Sequence, residues 1–361
     1  MKKIYLLLLI VLGVCIKNGN AQTVSFDEQL GTKLDKLLSE KFKPNEPGCV
    51  ALVANKGKII YRKAFGLADL ELNVPMNSEM VFLLGSITKQ ITAAAIMQLV
   101  EKGKISLQDT VNKFIEDYPT QGYHITIENL LTHTSGIKDY VRIKGYDSTF
   151  YRRDFTPAEF INYFKNETMG FAPGTDFDYS NSAYILLGYI IEKVSGMSYK
   201  KYIEENIFKP AGMSNSYYGD YSKIIKNRLR GYSPAANGFR NSNYISFSQY
   251  YAAGGLMSTA EDFFKYYQAL DSFKLINKGS LEKTRTSYKL VNGKETNYGY
   301  GIGLGNLMGT SAVGHAGGAE GFYTNQIYFS KEDVLIVVFT NCDNYNGKDP
   351  SMEMAALALE K

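Results

Sequence analysis

Ser86-Ile87-Thr88-Lys89 sets a hydroxyl and an amine three residues apart, between the apolar run Val81-Phe82-Leu83-Leu84-Gly85 and a helix-forming segment from Gln90 to Lys102. Positions i and i+3 share a helix face, so the two side chains become neighbours. The unpaired N–H groups of a first helical turn favour negative charge developing beside the serine. An amine within hydrogen-bond reach takes the hydroxyl proton when burial holds it partly neutral. That chemistry is an activated serine nucleophile. Ser-x-x-Lys occurs four times, at Ser86, Ser135, Ser198 and Ser280, and a similar number arises by chance in a chain rich in both residues. Ser198 reads as the cap of the helix that follows it. Ser280 sits in a polar stretch with nothing to aim it into a cleft. Only Ser86 has both an apolar lead-in and an Ala-rich helix, Thr92-Ala93-Ala94-Ala95-Ile96-Met97, able to desolvate its lysine.

Two further clusters carry chemistry. Phe177-Asp178-Tyr179-Ser180-Asn181 precedes an apolar helix, Ala183 to Val194; its phenol can shuttle a proton and its amide can bind a substrate carbonyl. Gly314-His315-Ala316-Gly317-Gly318 stands before a strand, where glycines allow close backbone approach and can present an oxyanion-binding N–H. Tyr323-Thr324-Asn325 repeats the Tyr-x-Asn pattern inside a strand and reads as accidental. Of the three histidines, His124 carries no signal, His133 belongs to a packed loop, Leu130-Leu131-Thr132-His133-Thr134-Ser135-Gly136, and their scatter makes a zinc site improbable. No Gly-x-Ser-x-Gly elbow or phosphate-cradling glycine loop occurs, so neither an α/β-hydrolase triad nor a nucleotide is implied.

The elements that must position these residues come from both ends of the chain. Phe26, Leu30, Leu34, Leu37, Leu38 and Phe42 have helical spacing. Cys49 to Ala54 and Lys58 to Arg62 flank Asn55-Lys56-Gly57 as a hairpin. Tyr298 to Leu304, Gly321 to Phe329 and Val334 to Thr340 are three more strands, with a tight turn at Ser330-Lys331-Glu332-Asp333 and a closing helix from about Met352. Between them the chain is largely helical, with helix starts at Thr156-Pro157-Ala158-Glu159 and Ser258-Thr259-Ala260-Glu261. The expectation is an α+β fold: a five-stranded antiparallel sheet from both chain ends, flanked by helices, with an inserted helical lobe and a cleft between. The sheet lobe spans about 22–80 plus 290–361 and the helical lobe about 81–289. The Tyr-, Asn- and Ser-rich stretch from Tyr217 to Tyr251 is placed to line or cover the cleft.

Lys2-Lys3, the apolar run Ile4 to Ile16 and Asn18-Gly19-Asn20-Ala21-Gln22 have the regions of a secretory signal peptide, expected at 1–21. The apolar run is shorter than the roughly 20 residues that span a bilayer. Leu12-Gly13-Val14-Cys15 loosely resembles a lipoprotein signal, but bulky Val14 fits it badly. The product is therefore expected to be periplasmic or secreted, with no membrane span after processing. Loss of Lys2, Lys3 and Lys17 lowers the formal charge from +4 to +1, which implies no nucleic-acid partner. Export permits a disulfide; Cys49 and Cys342 fall at ends of probable strands that could bring them together, and two buried thiols are at least as consistent with the sequence.

Taken in order, these motifs resemble the serine β-lactamase and penicillin-binding-protein superfamily, in its class C β-lactamase and D,D-carboxypeptidase-like branch. Further agreements are Pro210-Ala211-Gly212-Met213, Gly254-Gly255-Leu256-Met257-Ser258-Thr259-Ala260-Glu261-Asp262 and Tyr298-Gly299-Tyr300-Gly301-Ile302-Gly303. The resemblance runs from about Gln29 to Ala356. It implies Ser86 as the acylated nucleophile, Lys89 as the amine that helps deprotonate it, Tyr179 as base or proton shuttle, and Asn181 as substrate-amide ligand. Ser86 and Gly318 would supply the oxyanion hole, with Gly317 beside them and no cofactor. His315 replaces the lysine of the family's Lys-Thr-Gly motif, so the carboxylate anchor is softer, since histidine is charged only in a minority of molecules near pH 7. The implied activity is exported acyl-serine hydrolysis of amide or ester carbonyls, with D-alanyl peptides favoured over small esters and slowly turned-over β-lactams. The alternative of another class is a non-catalytic β-lactam- or peptide-binding module.

Overall fold

Cys49-Val50-Ala51-Leu52-Val53-Ala54 is apolar without a break, as a strand covered on both faces must be. In the computed structural model, which describes residues 26–343 and 349–360, it forms the centre of an antiparallel sheet. The strands are β1 (Cys49–Asn55), β2 (Lys58–Phe65), β3 (Gly303–Leu307), β4 (Thr310–Ala319), β5 (Phe322–Phe329) and β6 (Val334–Thr340), in the spatial order β3-β4-β5-β6-β1-β2. Lys56 and Gly57, both at positive φ, make the tight β1–β2 turn. The pairing of β1 with β6 runs from Cys49 opposite Thr340 to Asn55 opposite Val334, closing the sheet from the two chain ends.

Alternate residues of β1 serve two cores. Cys49, Ala51 and Val53 pack with Leu30, Leu34 and Leu38 of α1 (Phe26–Lys41) and with Met354 and Ala355 of the closing helix (Ser351–Leu359). Val50 and Leu52 face the larger core shared with the helical part of the chain. At its centre is α2 (Thr88–Glu101), buried continuously from Thr88 to Leu99, against α3 (Asn181–Ser195) and α4 (Phe247–Gly254). The short strands Phe82–Leu83 and Leu256–Ser258 pair just before Ser86.

The fold class matches the sequence expectation, while three details differ. The sheet has six strands instead of five, because Gly314-His315-Ala316-Gly317-Gly318 lies inside β4 and not in a loop. Its glycines masked the strand: their lack of side chains removes the apolar alternation by which a strand is read. The segment from Tyr298 pairs regularly only from Gly303. Thr259, not Ser258, caps the helix Ala260–Asp271. The box at Thr156 and Glu159 forms as expected. Cys49 and Cys342 stand at the same end of the paired strands, buried there as thiols. The signal peptide expected at 1–21 lies outside the described residues.

Candidate active site

The apolar lead-in delivers Ser86 on a single tight turn, Gly85–Ile87, that runs directly into α2. Gly85 takes φ +53°, and a Cβ there would fall 2.8 Å from the Gly318 carbonyl oxygen. At Gly317 a Cβ would meet the Leu84 oxygen at 2.1 Å. These two positions let β4 lie against the backbone that carries Ser86. Thr324 of β5 fixes the contact by donating from Oγ1 to the Leu84 carbonyl at 2.8 Å.

Lys89, the second residue of α2, is fully buried. Its Nζ lies 3.1 Å from Ser86 Oγ, 2.8 Å from Asn181 Oδ1 and 2.8 Å from the Ala253 carbonyl oxygen. Burial lowers its pKa to about 7, against an upward pull from Asp139. The amide and carbonyl oxygens can only accept. A neutral amine that donates to both therefore directs its lone pair at Ser86, the one partner of the three with a proton to give. The Ala253 carbonyl is available because α4 ends at Gly254, leaving the carbonyls of its last turn without helical partners; the neighbouring Ala252 carbonyl accepts from Thr92 Oγ1 at 2.7 Å, and Tyr251, at φ 37° and ψ −128°, leaves the helical region. Strain of this kind costs on the order of 1–3 kcal/mol.

Tyr179 reaches the same point from the segment before α3, where Ser180 caps the helix. Burial raises its pKa, and the Ser86 hydroxyl works against that rise. The phenol makes no hydrogen bond of ordinary geometry among the described residues, and Lys89 Nζ is 4.8 Å from its ring centroid. Its backbone carbonyl is held by Arg142 Nη2 at 2.8 Å.

His315, on β4, shares a hydrogen bond of 2.8 Å between Nε2 and the Tyr298 hydroxyl, and its Nδ1 lies 2.6 Å from the Ala316 oxygen. A carbonyl only accepts, so Nδ1 carries the proton and Nε2 accepts from Tyr298. Burial, then the nearby Lys89, pulls the histidine pKa down to about 4. The ring is thus neutral at pH 7, a stronger departure from a permanent cation than the reference value suggests.

Ser86, Asn181 and Gly318 line one cavity of about 380 Å³ together with Tyr140, Tyr250 and Glu320. A larger recess of about 530 Å³, lined by Ala54, Tyr267, Asp271 and Tyr328, holds none of these groups. Of the seven residues singled out from the sequence, Ser86, Asn181 and Gly318 line the smaller cavity; Lys89 bonds to Ser86 and Asn181 behind it, Tyr179 lies over Lys89 and 6.0 Å from the His315 ring, and Gly317 is the contact to Leu84. Ile245 and Tyr250 of the irregular 217–251 stretch do line the cavity. Tyr323 and Asn325 bond instead to Asp349, away from Ser86.

Sequence reasoning passed over three partners: Asp139, Tyr298 and the Ala253 carbonyl. Tyr298 lay within a family-like motif, but nothing marked its pairing with His315. His133, read as part of a packed loop, accepts from the Ser180 N–H at 3.1 Å through Nδ1 and lies under Tyr179. Among the described residues no group of three or more His, Cys, Asp or Glu could hold a metal ion, and no helix is long and apolar enough to cross a membrane.

The family described as Beta-lactamase matches residues 34–361. Penicillin-binding protein 4* of Bacillus subtilis is 31% identical over 324 residues, covering 85% of this chain and 70% of that one. Esterase EstB of Burkholderia gladioli is 33% identical over 199 residues, 51% of this chain and 50% of its own. The octameric penicillin-binding protein homologue from Pyrococcus abyssi superposes with a TM-score of 0.77 at 32% identity, over 92% of this chain and 76% of that one.

Proposed function

The chain belongs to the Beta-lactamase family, and on that premise we propose that it is an exported serine acyl-hydrolase that cleaves amide or ester carbonyls through a covalent acyl-Ser86 intermediate. The observation that carries this reading is the buried Lys89 amine, held at a pKa of about 7 with Ser86 Oγ 3.1 Å from its Nζ. Lys89 takes the Ser86 proton as Oγ attacks the carbonyl carbon. The N–H groups of Ser86 and Gly318 receive the oxyanion. Tyr179 donates a proton to the departing amine or alcohol as the carbonyl–leaving-group bond breaks. Water then adds to the acyl-serine, giving up a proton to the Tyr179 phenolate, and Ser86 Oγ takes back the proton held by Lys89 as its bond to the acyl carbon breaks and the acid is released.

D-alanyl peptides are the favoured substrates, in keeping with the similarity to a relative named as a penicillin-binding protein. The neutral His315 favours a second reading, small esters or amides without a carboxylate beside the scissile bond. It also weighs against an efficient β-lactamase: kcat/KM on penicillins should fall well below the diffusional range of about 10⁸ M⁻¹s⁻¹.

The test is intact-protein mass spectrometry of wild type and Ser86→Ala after exposure to a fluorophosphonate and, separately, to a penicillin. A mass gain confined to wild type supports the acyl-serine mechanism, and a lasting penicillin adduct supports the D,D-peptidase reading. No adduct with either reagent, in folded protein, would leave a binding module.

A further inference from the structure

Asp139 is a carboxylate that this mechanism leaves without a task, yet it is only 4% exposed and stands one residue away from the nucleophile's base. Its Oδ2 accepts from Asn181 Nδ2 at 3.0 Å, and Asn181 Oδ1 in turn accepts from Lys89 Nζ at 2.8 Å. Its other oxygen, Oδ1, faces the Val141 N–H at 3.5 Å and caps the turn Tyr140–Arg142. Both carboxylate oxygens are thus turned to N–H donors.

A primary amide has an accepting and a donating end, and which end faces Lys89 decides what Lys89 can do. If the amide nitrogen faced the lysine, it would donate to the amine's lone pair and turn that lone pair away from Ser86. A carboxylate at Asp139 accepts only, so it holds the amide nitrogen on its own side and sends the oxygen toward Lys89. Resting on the acyl-serine reading above, we propose that Asp139 is a positioning residue, which acts through the Asn181 amide to keep the lone pair of neutral Lys89 aimed at Ser86.

Asp139→Asn is close to isosteric and keeps an oxygen to cap the turn, but its own amide can donate to Asn181 Oδ1 and so allows the reversed orientation. Removing the charge also removes the upward pull of Asp139 on Lys89. Two consequences then point in opposite directions. The lysine is neutral over a wider pH range, yet it is a worse base for Ser86. A residue needed only for packing would not produce that combination.

The experiment is the rate of Ser86 phosphonylation by a fluorophosphonate across pH 5 to 9, followed by intact mass, for wild type, Asp139→Asn, Asp139→Glu and Asn181→Ala, with the Tm of each. This reagent has no amide, so a substrate-binding role for Asn181 is bypassed. The expected result for Asp139→Asn is a plateau rate lower by roughly 10²-fold, the scale of general-base assistance, with the acid limb moved to lower pH. Asp139→Glu, which retains the charge, should recover part of the rate and keep the limb near its wild-type position. Asn181→Ala breaks the same link while leaving the buried carboxylate in place, and its labelling should slow comparably even if Asp139→Asn fails to fold. A wild-type plateau in either Asp139→Asn or Asn181→Ala, or a slowed Asp139→Asn with an unmoved acid limb, overturns the proposal and leaves the acyl-serine reading standing. Wild type that is not labelled at Ser86 overturns both.

Discussion

The imidazole of His133 lies against the phenol ring of Tyr179, with centroids 4.2 Å apart and planes inclined by 34°. Its Nδ1 accepts from the Ser180 N–H, and its Nε2 has no hydrogen-bond partner among the described residues. Burial, and then repulsion from Lys89 and from His315 whenever these carry a proton, holds its pKa well below the usual histidine range. The ring is therefore a neutral wall under the proton shuttle. His133→Asn keeps an acceptor for Ser180 and tolerates the φ of 58°, but removes that wall. Aromatic pairs contribute about 0.5–1.5 kcal/mol, so kcat is expected to fall by up to about tenfold with a smaller effect on KM. Steady-state kinetics on any hydrolysed ester, beside a melting curve, would check it; unchanged kcat would reduce His133 to a cap for the backbone.

The base must be neutral to accept a proton, and burial puts Lys89 at a pKa of about 7. Acylation should accordingly rise with pH through an inflection near 7. His315, at about 4, stays neutral across pH 5 to 9 and adds no second inflection there. Lys89→Arg holds a permanent cation in place of the base and should slow acylation by roughly 10²-fold or more. Stability is linked to the same group. Between about 7 and the ordinary 10.5 the unfolded lysine binds a proton that the folded one does not, so stability should rise with pH across that window. An acylation rate flat from pH 5 to 9 would remove Lys89 as the base.

How much of this was legible depended on which physical signal each residue left in the sequence. Ser86 and Lys89 were readable because i,i+3 spacing, an apolar lead-in and an Ala-rich helix all act locally. Strands β1 and β6 were readable because buried strands are continuously apolar, and β2 because Asn55-Lys56-Gly57 marks the turn into it. Strand β4 was not, since its glycines serve a backbone contact with Leu84 and carry no hydrophobic pattern. Asp139 left no signal because its partner, Asn181, is brought to it only by the packing of α3 against the loop that bears it. The carbonyl of Ala253 was invisible for a different reason: it is a main-chain group left open by the end of α4 at Gly254, and any residue type can carry it.

Gly317 and Gly318 are adjacent, yet their substitution should have different outcomes. A Cβ on Gly317 would lie 2.1 Å from the Leu84 oxygen and 2.3 Å from Thr324 Oγ1, whereas one on Gly318 meets nothing within 4 Å. Gly317→Ala must push β4 away from the turn that carries Ser86. Overpacking of this kind costs roughly 1–3 kcal/mol, and the displacement separates the two N–H groups assigned to the oxyanion. Gly317→Ala is expected to lose both thermal stability and nearly all turnover; Gly318→Ala keeps its N–H and should retain the wild-type Tm. Equal melting temperatures for the two variants would contradict the close contact.

Tyr179→Phe separates the two halves of the acylation step. Lys89 already has Ser86 Oγ 3.1 Å from its Nζ, so attack does not require the phenol, but an amine leaving group must be protonated as it departs. The phenol's raised pKa, caused chiefly by burial, keeps it protonated and able to donate at neutral pH. On amide substrates the variant should lose roughly 10²-fold or more in kcat, the usual scale of general-acid assistance. On an aryl ester, whose phenolate leaves without a proton, the loss should be several-fold smaller. The comparison is a pair of kcat ratios, wild type over variant, for an amide and an aryl ester with the same acyl group. Equal ratios would mean that Tyr179 acts at the attack on the carbonyl, sharing the base role with Lys89, and not at departure of the leaving group.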